Sequence, residues 1–193
     1  MVKETRAYRC HAISEDIGSI TLDTVLVEDP GPGEVQINVK ACSVNFPDLL
    51  MIQGKYQFKP PLPFAPGGEA SGDVVVVGSE VSGVEVGDRV VFGSRHGCFA
   101  ETLNVSADAI NAIPGSMTYA KAASYGTAYQ TAYVALTHRG NLQPDEWLMV
   151  HGATGGVGMA AVDIGKHLGA RVIGTGGTDA KLAVVKSRGA DEV

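Results

Sequence analysis

The amino-acid sequence predicts an α/β protein in which a barrel or sandwich of short strands precedes the start of a doubly wound parallel sheet. Three features of the 193-residue chain predict this class. Short extended runs separated by Gly and Pro fill the chain to about residue 115, strand and helix patterns alternate from residue 147 onward, and a glycine-rich turn links the first of those strands to its helix. The length fits one large domain or two small ones.

The clearest strand candidate lies between Val35 and Ala41, where apolar residues alternate with polar ones. A period of two is typical of a strand with one buried face. Further strands are predicted at residues 73–77 and 89–92. The Pro-rich segment 60–68 is predicted to be a rigid loop, because proline fixes φ and lacks a backbone donor.

An Ala-rich stretch from Thr118 to Gly140 predicts one or two helices, with Thr118 as the N-cap and Gly140 as the terminator. It marks the junction between two domains. Beyond it, the predicted elements are a strand at residues 147–151, a helix from 157 to 168, a strand at 170–175 and a helix at 179–188. The predicted segments are a first domain at 1–117, connecting helices at 118–140 and a second domain at 141–193.

The turn after the predicted strand at 147–151 contains Gly155, Gly156 and Gly158. Unpaired main-chain N–H groups and the positive end of the helix dipole favour an anion at such a turn. Gly155 and Gly156 would admit a pyrophosphate to the backbone, and Gly158 would let the helix pack on the strand, which predicts dinucleotide binding. Ala153 replaces the first glycine of the usual pattern, and a glycine-rich turn without a ligand is the alternative.

The end of the second predicted strand of this domain indicates which nicotinamide cofactor fits. NAD-binding folds usually carry an acidic residue there for the ribose hydroxyls. This chain has Gly176 and Gly177 at that place, with Asp179 two or three positions late and Lys181 available to a 2′-phosphate. We therefore favour NADPH. The alternative is that Asp179 caps a helix and Lys181 is solvated.

The composition argues against several other classes of protein. The chain has 15 Lys and Arg against 21 Asp and Glu, a net charge of −6, and no basic stripe for nucleic acid. Its three cysteines are odd in number and form no Cys-x-x-Cys pair, which favours a reducing compartment. Because no signal-peptide core and no apolar run of membrane-spanning length stand out, we expect a cytoplasmic protein without a membrane partner.

Five segments resemble those of a known family, namely residues 41–48, 54–56, 63–72, 87–90 and 151–158. In this combination and order they are similar to the zinc-independent, zeta-crystallin-like quinone oxidoreductases of the medium-chain dehydrogenase/reductase superfamily. The similarity covers essentially the whole chain. It implies a GroES-like β-barrel catalytic domain followed by a Rossmann domain, with NADPH in the cleft between them. It also implies hydride transfer to a quinone or an α,β-unsaturated carbonyl.

The resemblance implies that no metal is bound. Zinc-dependent members of the superfamily have a cysteine where this chain has Asn45 and a histidine where it has Gly68. Cys10, Cys42 and Cys98 are scattered singly, whereas a structural zinc needs three or four clustered ligands. Hydrogen-bond donors would then have to meet the negative charge that develops on the substrate oxygen.

The resemblance also implies roles for individual residues. Asn45 and Tyr56 would be the catalytic residues that donate hydrogen bonds to the substrate oxygen, and Asn45 would also reach the nicotinamide. Thr131 would border the nicotinamide, although Thr127 lies in a similar Thr-Ala-Tyr tract. The other implied cofactor contacts are Gly155, Gly156, Val157 and Gly158 around the pyrophosphate and ribose, and Gly177, Thr178 and Lys181 near the adenosine phosphate. Tyr56 is alternatively a half-buried aromatic on the Pro-rich loop, and Asp48 is either a proton relay or an acidic helix-entry residue.

The length departs from the resemblance, because a Rossmann sheet needs about six strands and only two are predicted here. We therefore expect an N-terminal fragment, or a chain completed by a homo-oligomeric partner or a missing C-terminal portion. Three classes of function stay open. They are the oxidoreductase, with an acyl-CoA-linked enoyl reductase as its alternative, a nucleotide-binding module without turnover, and a crystallin-like structural protein.

Overall fold

The computed structural model describes residues 2–193, and its contacts divide the chain into two compact units between Ser124 and Tyr125. This division falls inside the predicted connecting segment 118–140. The first unit is mainly antiparallel β-structure, and the second combines a parallel strand pair with helices. The predicted α/β fold class is therefore confirmed.

The described part of the first unit contains the strands β1 (Lys3–Cys10), β2 (Ile20–Val27), β3 (Glu34–Cys42), β4 (Glu69–Val77), β5 (Arg89–Gly93), β6 (Thr102–Ser106) and β7 (Ile110–Ala112). Its helices are α1 (Phe46–Ile52) and α2 (Tyr119–Ala123), with single 3₁₀ turns at Ile17–Ser19 and Ala107–Ala109. β3 to β7 form one antiparallel sheet in the order β6-β3-β4-β5-β7. The core over this sheet includes Val35, Ile37, Val74 and Phe92, all fully or nearly fully buried.

Strand β3 follows the predicted alternation only in part. It has a neighbour on each side, β4 and β6, and Val35, Gln36 and Ile37 are all buried. The Gln36 side-chain amide donates to the Glu28 carbonyl and to Asn104 Oδ1, both at 3.1 Å. The prediction of an exposed polar face is wrong for Gln36. Its side chain can be buried because the hydrogen bonds to Glu28 and Asn104 replace those to water.

The sequence patterns do not predict the hairpin of β1 and β2. These strands pair antiparallel over eight residue pairs in an unbroken register. Main-chain bonds tie β1 to the rest of the unit, from Tyr8 N to the Phe99 carbonyl at 2.8 Å and from Cys10 N to the Phe64 carbonyl at 2.7 Å. The second bond also anchors the Pro-rich loop. Tertiary pairing, rather than local propensity, determines these two strands.

The second unit contains the strands β8 (Trp147–Val150) and β9 (Arg171–Gly174) and the helices α3 (Thr131–Tyr133), α4 (Gly156–His167) and α5 (Asp179–Ser187). Turns of π-helix at Gly126–Gln130 and Val134–Arg139 flank α3, where the sequence predicts ordinary helix. β8 and β9 pair in parallel. Glu192 forms a parallel bridge to Ile173, at the place where the sequence predicts the beginning of a third strand.

Small residues let α4 lie close to the two parallel strands. A Cβ on Gly165 would stand 2.6 Å from Leu148 Cδ2 and 3.2 Å from Val172 Cγ2. Val162, Val172 and Val185 are fully buried in the core that results. Such close packing fixes the position at which α4 begins, and with it the glycine-rich turn.

The described helices are short compared with the thickness of a bilayer. The helix α4 has 12 residues, whereas a membrane-spanning helix needs about 20. Within residues 2–193, no helix combines the length and the apolar character that a membrane crossing requires.

Candidate active site

The glycine-rich turn joins the end of β8 to the start of α4. Gly152 has φ of +64°, a left-handed conformation that favours glycine, and it accepts a hydrogen bond from Gly155 N at 3.0 Å. Gly155 is the N-cap residue of α4, with an extended backbone and no side chain to cover the first turn. The first N–H groups of a helix have no acceptors within the helix. Gly155, Gly156 and Val157 are exposed, and since the Gly155 N–H is used within the turn, Gly156 and Val157 carry the candidate donors.

The three predicted glycines of this turn serve different purposes. A Cβ on Gly158 would lie 2.3 Å from the Gly152 carbonyl oxygen and 2.8 Å from Ala153 Cα, so this position must be glycine for α4 to approach the turn. A Cβ on Gly155 or Gly156 would meet no atom closer than 3.6 Å. The surface over these two residues is open to a bulky anion such as a pyrophosphate.

The predicted adenosine-phosphate residues lie together at the turn between β9 and α5. Thr178 is the N-cap of α5, and its hydroxyl accepts a hydrogen bond from Lys181 N at 3.4 Å. Gly177 has open space around it, and the Lys181 side chain is exposed. Asp179 occupies the first turn of α5, where a carboxylate interacts favourably with the helix dipole. The alternative in which Asp179 caps the helix is wrong, because the cap is Thr178, and the choice of NADPH stays a prediction.

The Thr-Ala-Tyr tracts lie in the helical segment beside the glycine-rich turn. A Cβ on Gly156 would stand 3.9 Å from Ala128 Cβ. Thr131 begins α3 and is exposed, while Thr127 is half-buried. The structure therefore brings the segment from Thr127 to Thr131 near the predicted pyrophosphate contacts, and the contact of Thr131 with the nicotinamide stays a prediction.

Asn45 lies in the first unit, immediately before α1, within a network of polar side chains. Its Nδ2 donates to Ser43 Oγ at 2.8 Å and to Glu69 Oε1 at 2.9 Å. Ser43 Oγ in turn donates to the same oxygen of Glu69. Glu69 is 3% exposed, whereas Ser43 and Asn45 are half-buried.

Asp48 holds the main chain at Asn45 and at Gly67 through hydrogen bonds to its carboxylate. It is 2% exposed, and its carboxylate accepts hydrogen bonds from Asn45 N at 2.8 Å and Gly67 N at 3.2 Å. Burial raises the pKa of Asp48, and these two N–H groups oppose that shift. Because Asp48 forms a capping box with Asn45, its geometry is that of a helix-entry residue, the second of the two predicted alternatives.

Sequence reasoning missed Ser43 and Glu69 as members of this network. Both stand inside segments that carry the family resemblance, residues 41–48 and 63–72. No local pattern would have identified Glu69 as buried, because the residues after it are the small Ala70, Ser71 and Gly72. Its burial follows from the place of β4 between β3 and β5 in the sheet.

Tyr56 is half-buried and packs against the cluster of Cys10, Met51, Ile52 and Phe64. Its main-chain N–H donates to the Leu50 carbonyl at 3.1 Å. The ring therefore has the packing expected of the aromatic alternative, and the catalytic role of its hydroxyl stays a prediction.

The donor set at the family zinc position is unsuited to zinc. Asn45 offers an amide whose nitrogen already donates twice, and Gly68 offers no side chain at all. Among residues 2–193, no three His, Cys, Asp or Glu side chains come together as metal ligands. Independence of zinc stays a prediction for the protein.

Comparison with known proteins identifies the class to which this fold and site belong. The model of the alcohol dehydrogenase GroES-like domain matches residues 31–143. The chain is 39% identical over 190 residues to a quinone oxidoreductase-like protein 2 homolog of Nematostella vectensis, and the match covers 97% of this chain and 51% of that protein. The chain therefore belongs to the alcohol dehydrogenase GroES-like family within the medium-chain dehydrogenase/reductase superfamily, and the predicted resemblance is confirmed.

Two solved structures show the same fold. A probable oxidoreductase from Mycobacterium abscessus superposes with a TM-score of 0.93 at 37% identity, over 99% of this chain and 61% of that one. A mycobacterial protein solved as a complex with NADPH superposes with a TM-score of 0.90 at 33% identity, over 97% of this chain and 58% of that one. This chain thus spans about half the length of its curated relative and about three fifths of these structures.

Proposed function

We propose that this protein is an NADPH-dependent oxidoreductase that reduces quinones or α,β-unsaturated carbonyls without a metal ion. The observation that carries the proposal is the turn at residues 155–158. Gly155 and Gly156 leave the start of α4 without covering side chains, so that the N–H groups after Gly155 are open to a ligand, while Gly158 admits no side chain. A helix start of this kind binds the pyrophosphate of a dinucleotide.

The preference for NADPH is supported by the turn that follows β9. Gly176 and Gly177 place no carboxylate there to accept hydrogen bonds from a ribose, and Lys181 offers an exposed cation nearby. The NADPH complex of the mycobacterial relative agrees with this choice. In this proposal, Thr178 and Lys181 hold the 2′-phosphate, whose charge is then paired with an ammonium group.

The proposed reaction draws its hydride from the reduced nicotinamide when that group is bound. The chain itself contributes orientation and polar contacts. Asn45 would hold the nicotinamide end through its amide, and the Tyr56 hydroxyl or a main-chain N–H would donate to the substrate oxygen as charge develops on it. Donors of this strength suit acceptors that are already electron-poor, such as quinones and enones.

A titration of the protein with NADPH and with NADH, followed by addition of 1,2-naphthoquinone, tests the proposal. We expect tighter binding of NADPH and a quinone-dependent loss of nicotinamide absorbance. Consumption with an enoyl-CoA thioester but with no quinone would support the enoyl reductase instead. Binding of a nucleotide without loss of nicotinamide absorbance would indicate a nucleotide-binding module. The absence of binding by either nucleotide would favour the crystallin-like structural protein.

Lys181→Ala should weaken NADPH binding about fivefold and leave NADH binding unchanged, because a single exposed charge-assisted bond contributes about 1 kcal/mol. Lys121→Ala is the matched control. Lys121 N donates to the N-cap hydroxyl of Thr118 at 3.3 Å, as Lys181 N does to that of Thr178 at 3.4 Å, and both side chains are exposed. Equal effects of the two variants would contradict the assignment of Lys181.

A further inference from the structure

The nitrogen of the Asn45 side-chain amide is directed at two oxygens that lie side by side. Nδ2 of Asn45 donates to Ser43 Oγ and to Glu69 Oε1, and these two oxygens are themselves within hydrogen-bonding distance of each other. We infer that Ser43 and Glu69 are positioning residues that turn the Asn45 amide so that its carbonyl oxygen Oδ1 faces the ligand. In the proposed function on which this inference rests, Oδ1 then accepts an N–H of the nicotinamide carboxamide.

The chemistry of Glu69 fixes which end of the amide points toward it. A carboxylate only accepts hydrogen bonds, so the atom 2.9 Å from Glu69 Oε1 must be the nitrogen of Asn45. The opposite orientation would place Oδ1 against a carboxylate oxygen. Because Glu69 is 3% exposed, water would not relieve that repulsion.

Ser43 reinforces the same orientation. Its hydroxyl has one hydrogen, which it donates to Glu69 Oε1. It is therefore left to accept from Asn45 Nδ2 at 2.8 Å. Donation runs in one direction, from Asn45 to Ser43 to Glu69, and a flipped amide would break two bonds at once.

Oδ1 of Asn45 can accept a hydrogen bond from a ligand. It has two acceptor sites, and the capping box with Asp48 occupies at most one of them. Asn45 is half-buried, so the other site is within reach of a bound group. With Oδ1 facing the ligand, position 45 selects a donor, and stabilisation of a substrate oxygen falls to other groups such as Tyr56.

Two cofactors that differ only in the carboxamide test this inference. The reduced 3-acetylpyridine analogue of NADPH keeps the carbonyl group but replaces the NH₂ with a methyl group. We expect the unmodified protein to bind NADPH about fivefold to tenfold more tightly than the analogue, since one hydrogen bond is lost. The readout is the ratio of the two dissociation constants, measured by calorimetry.

Glu69→Gln should reduce that ratio toward one, because a glutamine side chain accepts either orientation of the Asn45 amide. Ser43→Ala should reduce the ratio by a smaller factor, and Ser43→Thr, which keeps the hydroxyl, should restore it. Glu101→Gln is the control for charge, since Glu101 pairs with Arg6 on the surface. A merely structural role would weaken binding of both cofactors equally and leave the ratio unchanged.

The outcomes separate this inference from the proposed function. If the unmodified protein binds neither cofactor, the proposed function fails. If it binds both equally, or if the ratio is the same in Glu69→Gln, Ser43→Ala and the unmodified protein, the inference alone is overturned. Should Glu69→Gln fail to fold, Ser43→Ala decides, because it removes a half-buried hydroxyl and leaves every charge in place.

Discussion

The two candidate binding regions of this protein offer hydrogen-bonding groups in different ways. At residues 155–158, the donors are main-chain N–H groups that glycine leaves uncovered. At Asn45, the group is a side chain whose orientation is set by Ser43 and Glu69. The first region depends on glycine, which has no side chain to cover the backbone. The second depends on side-chain partners that only folding brings together. The two regions should therefore respond differently to substitution.

The largest effect is expected at Gly158. Gly158→Ala places a Cβ 2.3 Å from the Gly152 carbonyl oxygen, and since the clash is with backbone, α4 must shift. We expect the free energy of unfolding to fall by about 3 kcal/mol, measured by urea denaturation. Gly177→Ala is the control, because a Cβ there meets nothing within 4 Å. Similar losses in both variants would show that backbone crowding does not distinguish the two glycines.

A somewhat smaller effect is expected at Asp48, which accepts a hydrogen bond from the main chain of Asn45. Asp48→Ala leaves Asn45 N and Gly67 N without their acceptor in a buried place. We expect a loss of about 2 kcal/mol in the free energy of unfolding. Asp88→Ala is the matched control, because Asp88 accepts from Glu85 N at 2.8 Å in the same i to i−3 arrangement but is exposed. An equal loss in the free energy of unfolding of Asp88→Ala would contradict the expectation that burial makes the Asp48 hydrogen bonds costly to lose.

The smallest effect is a difference in pH dependence between the two units. Burial raises the pKa of Asp48. Its protonation therefore favours the folded state, and that contribution is present below its usual pKa and lost as pH rises through the raised value. In the second unit, the Lys166 side chain and Val172 N–H lower the pKa of Asp191. Its contribution is present above the usual pKa and lost as pH falls through the lowered value.

Thermal midpoints of Asp48→Asn and Asp191→Asn, followed from about pH 3 to pH 7, test this difference in sign. Relative to the unmodified protein, Asp191→Asn should lose more stability at neutral pH than in acid. Asp48→Asn should show the reverse trend, with a greater loss in acid. Parallel pH profiles for the two variants would contradict the opposite shifts.

Sequence patterns predicted the second unit more completely than the first. The strand, turn and helix from Trp147 to His167 were recognisable because the hydrophobic periods and the glycine spacing are local. In the first unit, the sheet strands β3, β4 and β5 were predicted, but the hairpin of β1 and β2 was not. A strand that depends on a distant partner, as β1 does on Phe64 and Phe99, leaves a weaker local signal.

The candidate site divides in the same way. Gly158 was predictable because a close backbone approach excludes every other residue. The polarity of Asn45 was not, because it follows from Glu69, which lies 24 residues further along the chain. Without that contact, Asn45 was expected to donate a hydrogen bond. With it, the amide nitrogen is directed at Ser43 and Glu69.

By itself, the sequence determined the fold class and the glycine-rich turn, since hydrophobic periods, proline and glycine constrain the backbone locally. The family followed from the resemblance of five segments to known proteins. Only the tertiary structure decided the pairing of β1 with β2, the burial of Gln36 and the direction of the Asn45 amide. These features depend on partners distant in sequence, and the free energy of a buried polar group is set by whether such a partner meets it.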